Sequence, residues 1–119
     1  MAIVHFESKS ENPHFENVYD ISPSEVLKLK DSLKLIDVRQ PEEFNGELGH
    51  VSGSELLILH SLPQNLATVP KDQTVVFVCR SGNRSAQATA FALSQGYEHV
   101  YNMQGGMLLW NQLQLPVER

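Results

Sequence analysis

The sequence predicts an α/β fold in which a mainly parallel central sheet of about five strands has helices on both faces. Strand and helix signals alternate along most of the chain, which favours parallel strands joined by helical crossovers. The run Val75–Val78 is apolar throughout, as in a strand buried on both faces. With 119 residues and 41% hydrophobic content, the chain is long enough for one domain with its own core. We predict that residues 14–119 form this domain and that residues 1–13 are an N-terminal arm or an added strand.

Charge and cysteine content narrow the classes of function. The formal net charge is −5 at pH 7, so nucleic acid is not an expected partner. A membrane is not expected either, because no stretch approaches the roughly 18 apolar residues that a span needs. The single cysteine, Cys79, cannot form an internal disulfide, and the first residues lack the pattern of a secretory signal. We therefore expect a protein of a reducing compartment, most simply the cytoplasm.

The predicted domain starts with a strand and a capped helix. Phe15–Ile21 is rich in residues that favour strands. Ser22 follows as a helix N-cap, Pro23 fits the first helical position, and Glu25 lies three residues after the cap. This pattern predicts a capping box, in which Ser22 and Glu25 bond each other's backbone N–H groups, and a helix that ends near Ser32.

The second predicted strand, Leu33–Arg39, ends in two charged residues. Asp37 has two interpretations, as a general base or as a carboxylate that pairs with a neighbouring group and supports the fold. We favour the supporting role, because carboxylates at strand ends more often form ion pairs or cap loops. Proline and acidic residues then predict a short helix over Pro41–Phe44.

A histidine follows in the segment Gly49–Ser54. His50 is a candidate general base for Cys79, but a single histidine in a turn bounded by glycines is more often part of the scaffold. After it, Glu55–Leu59 predicts a third short strand, and residues 60–66 predict a short helix or a turn.

The central strand stops at the one cysteine, where a small polar loop leads into a helix. The loop reads Cys79-Arg80-Ser81-Gly82-Asn83-Arg84-Ser85. Such a loop directs backbone N–H groups and the positive end of the helix dipole at one point. A thiol at that point ionises more easily, and Arg80 and Arg84 favour the thiolate further. We therefore predict that Cys79 is a nucleophile, although free cysteines elsewhere are often core residues.

The last elements are a strand and a closing helix. Gly96 ends the preceding helix, and the residues up to Met103 predict a strand. Gly105 and Gly106 then lead into a helix with Trp110, which we assign to the core. Since glycine permits close backbone approach, we expect this pair to lie beside the Cys79 loop.

The cysteine loop resembles the active-site loop of single-domain rhodanese-like sulfurtransferases, the thiosulfate sulfurtransferase family. The resemblance covers about residues 15–117, and its other specific parts are Asp37 to Arg39, Gly49 to Gly53 and Gly105 to Trp110. The departures are Ser52 and Ser54, at which the family has proline and alanine, and Gln114, at which relatives often have glycine.

This resemblance implies a rhodanese-like fold and an enzyme that moves a sulfane sulfur through a persulfide on Cys79. The implied donor is a small molecule such as thiosulfate, and the acceptor is cyanide, a thiol or a sulfur-relay protein, with no metal and no cofactor. The implied substrate-binding residues are Arg80, Ser81, Gly82, Asn83, Arg84 and Ser85. The residues expected to support the site are Asp37, Arg39, His50, Gly105 and Gly106. Whether Arg80 or Arg84 touches the substrate stays open.

Two other functions remain alternatives. A cysteine phosphatase or arsenate reductase would use the same loop, but the phosphatases have one more residue between cysteine and arginine than the four between Cys79 and Arg84. A tetrahedral phosphate needs that wider loop, so the count favours sulfur. The second alternative is a sulfur-carrier or protein-docking module without thiosulfate turnover. Loss of the cysteine would mark a docking module, and Cys79 is present.

Overall fold

The computed structural model describes residues 3–119. The strands are β1 (Ser10–Glu11), β2 (Tyr19–Ile21), β3 (Lys34–Asp37), β4 (Glu55–Leu56), β5 (Val75–Val78) and β6 (Val100–Met103). The α-helices are α1 (Pro23–Leu29), α2 (Pro41–Phe44), α3 (Leu62–Asn65), α4 (Asn83–Ser94) and α5 (Gly106–Gln112). Within the described range the strands form one sheet in the order β1-β2-β6-β5-β3-β4, and only the β1–β2 pair is antiparallel. The predicted α/β fold with a mainly parallel sheet is confirmed.

The strand beyond the predicted five is β1, at one edge of the sheet. It lies in the N-terminal segment 1–13, whose residues 1 and 2 fall outside the described residues. Ser10 and Glu11 pair with Asp20 and Tyr19 of β2. The N-terminal segment therefore extends the sheet by one antiparallel strand.

Apolar side chains cover both faces of the sheet. In β5, Val75 and Phe77 face α3 and α4, whereas Val76 and Val78 face α1 and α5. Successive strand residues point to opposite faces, so a strand between two helical layers must be apolar at every position. Each fully buried side chain of this size contributes about 1.5–3 kcal/mol of transfer free energy. Trp110, on the α1 and α5 side, is fully buried, as predicted.

Helix α1 begins as predicted, but the reciprocal half of its capping box is wrong. Ser22 Oγ accepts a hydrogen bond from Glu25 N at 3.2 Å. The Glu25 carboxylate turns to Ser8, whose N–H, at 2.9 Å, and hydroxyl both donate to it, and Ser22 N donates to Ser8 Oγ at 3.0 Å. Ser8 satisfies both groups because its N–H and hydroxyl give the carboxylate more bonds than the Ser22 N–H offers. A 3₁₀ turn at Lys30–Ser32 carries the helix to its predicted end.

Three predicted strands are longer than the observed ones, and of the segment 33–39 only Lys34–Asp37 is a strand. Only Tyr19–Ile21 of the segment 15–21 is a strand, because the chain turns at Asn17, which has a φ of 67°. In the segment 55–59 only Glu55–Leu56 joins the sheet, and a 3₁₀ turn follows at Leu59–Ser61. Strand β4 lies at an edge of the sheet and pairs with β3, which ends at Asp37, the register partner of Leu56.

Three segments predicted to carry the site meet at the carboxyl end of the sheet. Strand β5 lies between β3 and β6, and all three run in the same direction. Cys79 follows β5, Asp37 ends β3, and Gly105 follows β6. This edge is where open α/β sheets bind ligands. Among residues 3–119, no helix combines the length and apolar character that crossing a membrane requires.

Candidate active site

Cys79 lies at the junction of β5 and α4 and is fully buried. Its Sγ accepts a hydrogen bond from the backbone N–H of Gly82 at 3.1 Å and lies 3.2 Å from Ser85 Oγ. Gly82 has a φ of 101°, a conformation that glycine adopts easily and that turns its N–H toward the sulfur. The thiol therefore packs against the core on one side and receives polar contacts from the loop on the other.

The loop ends at the N-terminus of α4, a helix of 12 residues that begins at Asn83. The unpaired N–H groups and the dipole of this helix end stabilise negative charge nearby, by about 0.3–1 kcal/mol at exposed sites and more where water is excluded. Ser81 and Asn83 are exposed, whereas Ser85 is fully buried and faces Cys79. Of the predicted substrate-binding residues, Gly82 and Ser85 thus contact the sulfur directly.

Helix α5 holds the loop from the side opposite α4. Met107 N donates to Cys79 O at 2.8 Å, and Leu108 N donates to Arg80 O at 2.9 Å. The helix approaches this closely because Gly106 has no side chain, since a Cβ there would lie 2.5 Å from Arg80 O. Gly105, with a φ of 72°, starts the helix. The glycine pair lies beside the cysteine loop, as the sequence predicts.

Asp37 and Arg39 form a buried ion pair behind the site. Arg39 donates from Nε to Asp37 Oδ1 at 2.9 Å and from Nη2 to Asp37 Oδ2 at 2.8 Å. The same guanidinium donates to Gly49 O at 2.7 Å and to Glu43 O at 3.2 Å, so it joins β3 to α2 and the following turn. Because every oxygen and nitrogen is engaged, the pair has the geometry of a structural support.

His50 also has the contacts of a scaffold residue. Its ring stacks on Phe44 with a centroid distance of 3.7 Å, and its Nδ1 lies 2.8 Å from Phe44 O. Its Nε2 lies 3.8 Å from a carboxylate oxygen of Glu118. Both ring nitrogens thus face groups other than Cys79, which agrees with the interpretation that the sequence favours.

The two loop arginines have different surroundings. Arg84 forms a bidentate ion pair with Glu43 of α2, with both N–O distances 2.7 Å. The hydrogen-bonded Arg84 lowers the pKa of Glu43, and Glu43 in turn raises the pKa of Arg84. Arg80 is exposed and borders a cleft of about 420 Å³ whose other side is α2 and the turn after it. Arg80 is therefore the loop cation that points toward open space.

Sequence reasoning missed two residues of this site. Glu43 is an acidic residue in the first turn of α2, and its sequence signal indicated only helix formation. Asn102 is a polar residue in β6 that is 1% exposed and accepts a hydrogen bond from Ser85 Oγ. A polar side chain inside a buried parallel strand needs a partner, and this mismatch was the available signal.

Comparison with known proteins identifies the family. A family model described as the rhodanese-like domain matches residues 22–113. The chain belongs to the rhodanese-like domain family, as the cysteine loop predicts.

Individual relatives agree with this assignment. A sulfurtransferase of Allochromatium vinosum is 38% identical over 96 residues, which are 81% of this chain and 88% of that protein. The thiosulfate sulfurtransferase GlpE of Pseudomonas aeruginosa is 36% identical over 91 residues, 76% of this chain and 81% of that protein. The crystal structure of a rhodanese-related protein from Thermoplasma volcanium gives a TM-score of 0.76 at 26% identity, covering 83% of this chain and 96% of that chain. The names of the first two relatives support a sulfurtransferase enzyme in general.

Proposed function

We propose that the protein transfers a sulfane sulfur from a donor such as thiosulfate to a thiophilic acceptor through a persulfide on Cys79. The observation that carries the proposal is the hydrogen bond from Gly82 N to Cys79 Sγ, at the N-terminus of α4. An N–H donor aimed at sulfur stabilises both the thiolate and the persulfide, which are anions. The names of the relatives support the same chemistry.

The transfer takes two steps. In the first, the Cys79 thiolate attacks the outer sulfur of thiosulfate, a new S–S bond forms, and the S–S bond of the donor breaks so that sulfite leaves with the electron pair. In the second, the acceptor attacks the outer sulfur of the persulfide, and the Cys79 thiolate leaves. Cyanide gives thiocyanate in this step, and a thiolate, free or on a relay protein, becomes a persulfide. Neither step needs a metal or an organic cofactor.

Arg80 is the loop cation placed to meet an anionic donor, beside a cleft that Glu42, Glu43 and Glu47 also line. Arg80 is exposed beside the cleft, so it is free to meet the sulfonate end of thiosulfate. Arg84 forms an ion pair with Glu43, so it links the loop to α2. We propose that Arg80 binds the donor and that Asp37, Arg39, His50, Gly105 and Gly106 hold the loop in shape.

The chemistry also limits where the protein works. A single nucleophilic cysteine needs to stay reduced between turnovers, which favours a reducing compartment such as the cytoplasm.

Mass spectrometry of the intact protein after treatment with thiosulfate tests the proposal. We expect the wild-type chain to gain one sulfur atom at Cys79 and to release thiocyanate on addition of cyanide. Cys79→Ser should do neither, while Asp72→Asn, an exposed change in the turn before β5, should match the wild type. Absence of the added sulfur, or turnover by Cys79→Ser, would overturn the proposal. Hydrolysis of an aryl phosphate by the wild type would instead favour a phosphatase.

A further inference from the structure

Behind Cys79 a chain of buried polar side chains crosses the sheet from β5 to β2. Ser85 Oγ lies 3.2 Å from Cys79 Sγ and donates to Asn102 Oδ1. Asn102 Nδ2 donates to Asp20 Oδ1 at 2.9 Å. Ser85 is 0%, Asn102 1% and Asp20 6% exposed. Asp20 and Asn102 are direct partners in the β2–β6 register, so the backbone fixes their proximity.

The hydrogen-bond directions in this chain are determined by chemistry. Asp20 Oδ1 accepts from the amide nitrogens of both Asn12 and Asn102, so the oxygen of Asn102 faces Ser85. Because an amide oxygen only accepts, the single hydroxyl proton of Ser85 belongs to the bond with Asn102. Ser85 then presents a lone pair to Cys79. A thiol S–H can donate to this lone pair. A thiolate only accepts, so it can bond Ser85 only if the Ser85 hydroxyl proton turns toward Sγ.

We propose that Asn102 is a positioning residue that competes with the Cys79 thiolate for the Ser85 proton. When Cys79 is a thiol, its S–H donates to Ser85 and Ser85 donates to Asn102. When the thiol proton leaves to solvent, the Ser85 hydroxyl rotates and donates to Sγ, and the bond to Asn102 is lost. Asn102 thereby favours the resting thiol, and the same rotation becomes available to a persulfide. The inference rests on the proposed function only in taking Cys79 as the reactive group.

Charged groups from several elements face this region. They are Arg84 on α4 with its partner Glu43 on α2, Asp37 and Arg39 at the end of β3, and Asp20 on β2, while Arg80 of the loop borders the outer cleft. A change at Asn102 removes none of these charged groups, and Asp20 keeps the hydrogen bond from Asn12 Nδ2 at 3.0 Å. A shift in the ionisation of Cys79 that depends on the Ser85 hydroxyl therefore reports the hydrogen-bond competition.

The test is the pH dependence of the alkylation rate of Cys79 by iodoacetamide, in the full-length chain. Asn102→Leu removes the competing acceptor at similar volume, so the midpoint of the profile should fall by about half to one pH unit, the size of one hydrogen bond. In the Ser85→Ala background the same change should shift nothing. An unchanged or higher midpoint in Asn102→Leu, or an equal shift in the Ser85→Ala background, would overturn the proposal.

A matched control separates this effect from loss of packing. Thr89 Oγ1 donates to the backbone carbonyl of Ser85 at 2.7 Å and is also buried. Thr89→Val therefore removes a neighbouring buried hydrogen bond, but the Ser85 hydroxyl can still donate to either Asn102 Oδ1 or Cys79 Sγ. Its midpoint should equal that of the wild type, and a shift as large as that of Asn102→Leu would count against the proposal.

A measurement on the wild-type chain covers the case in which Asn102→Leu fails to fold. In a pH titration, the chemical shifts of the side-chain amide of Asn102 should change with the same midpoint as the alkylation rate. Those of Asn111, which donates to Leu48 O, should not change at that midpoint. Signals of Asn102 that stay constant through the titration would contradict the proposal. Alkylation needs no sulfur donor, so these experiments remain decisive even if thiosulfate leaves no sulfur on Cys79.

Discussion

Gly106 lies where helix α5 meets the cysteine loop. A Cβ at this position would lie 2.5 Å from Arg80 O, and the residue has a φ of 57°. Most residues with a side chain avoid positive φ, so both the conformation and the contact require glycine. The neighbouring N–H of Met107 then reaches Cys79 O at 2.8 Å. A single missing side chain thus sets how closely α5 holds the loop.

We expect Gly106→Ala to lower the free energy of unfolding by about 2–4 kcal/mol, which combines an unfavourable φ with an overlap against fixed backbone. Because the loop must move to relieve that overlap, sulfur transfer to cyanide should also fall by about tenfold or more. Urea unfolding and thiocyanate release measure the two effects.

Gly53→Ala is the matched control for this variant. Gly53 has a φ of 86°, but a Cβ there would meet no atom within 4 Å. Its alanine variant should therefore lose only the conformational contribution, about 1–2 kcal/mol, with activity unchanged. Equal losses of stability and activity in the two variants would show that the contact with the loop is unimportant.

The ion pair between Glu43 and Arg84 makes part of the stability depend on pH. The hydrogen-bonded Arg84 holds the pKa of Glu43 below its usual value of 4.5. The ion pair therefore contributes fully to the free energy of unfolding above about pH 4.5, and this contribution is lost as the pH falls through the lowered pKa. Glu43→Gln should cost about 0.5–1 kcal/mol at pH 7, since the pair is partly exposed, and less at pH 3. Urea unfolding at the two pH values gives both differences, and an equal loss at each would contradict the expected linkage.

At the scale of elements, the parts with local causes could be predicted from the sequence. The apolar run makes β5 a buried strand, and Gly82 precedes the first residue of α4. Because β5 ends just before Cys79 and α4 begins at Asn83, the position of the loop that holds Cys79 could be predicted. Each cause lies within a few residues of its effect, so no knowledge of the remaining fold is needed.

Contacts between distant segments could not be predicted in this way. Asn102 bonds Asp20, 82 residues earlier, and Arg84 bonds Glu43 across 41 residues. Glu25 has the local partner that a capping box provides, yet its carboxylate bonds Ser8. In each case the tertiary fold offers a partner that local sequence cannot reveal, so the roles of Glu43 and Asn102 emerge only once the sheet is assembled.

At the scale of the whole molecule, the N-terminal segment packs against a sheet that has a hydrophobic core on each face. Val4 and Phe6 pack on the α1 and α5 side, and Phe6 contacts Tyr101 edge to face at 5.0 Å. Glu25 receives N–H groups from Glu7 at 2.8 Å and from Ser8 at 2.9 Å. Burial raises the pKa of Glu25, but the bond from the Ser8 hydroxyl, the two N–H groups and the charge of Lys28 outweigh burial and lower the pKa overall.

We propose that residues 14–119 fold without this segment. The shortened chain should keep the far-UV circular dichroism of an α/β protein and the alkylation of Cys79, and should lose about 2 kcal/mol of stability with the half-buried Val4 and Phe6. Glu25→Gln should destabilise the full chain more than the shortened chain, because the shortened chain lacks the bonds from Glu7 and Ser8 and keeps only the nearby Lys28 and the Ser22 N–H as partners for the carboxylate. An unfolded shortened chain would instead make residues 1–13 an integral part of the domain.

The sheet ends on both sides in strands of two residues, β1 and β4. A long, bare border strand is a template on which foreign chains stack into amyloid-like fibrils. Here each border strand has two residues, so it offers few unpaired backbone groups, and Glu11 and Glu55 place charged side chains beside them. The architecture therefore resists edge-to-edge aggregation when the protein is abundant.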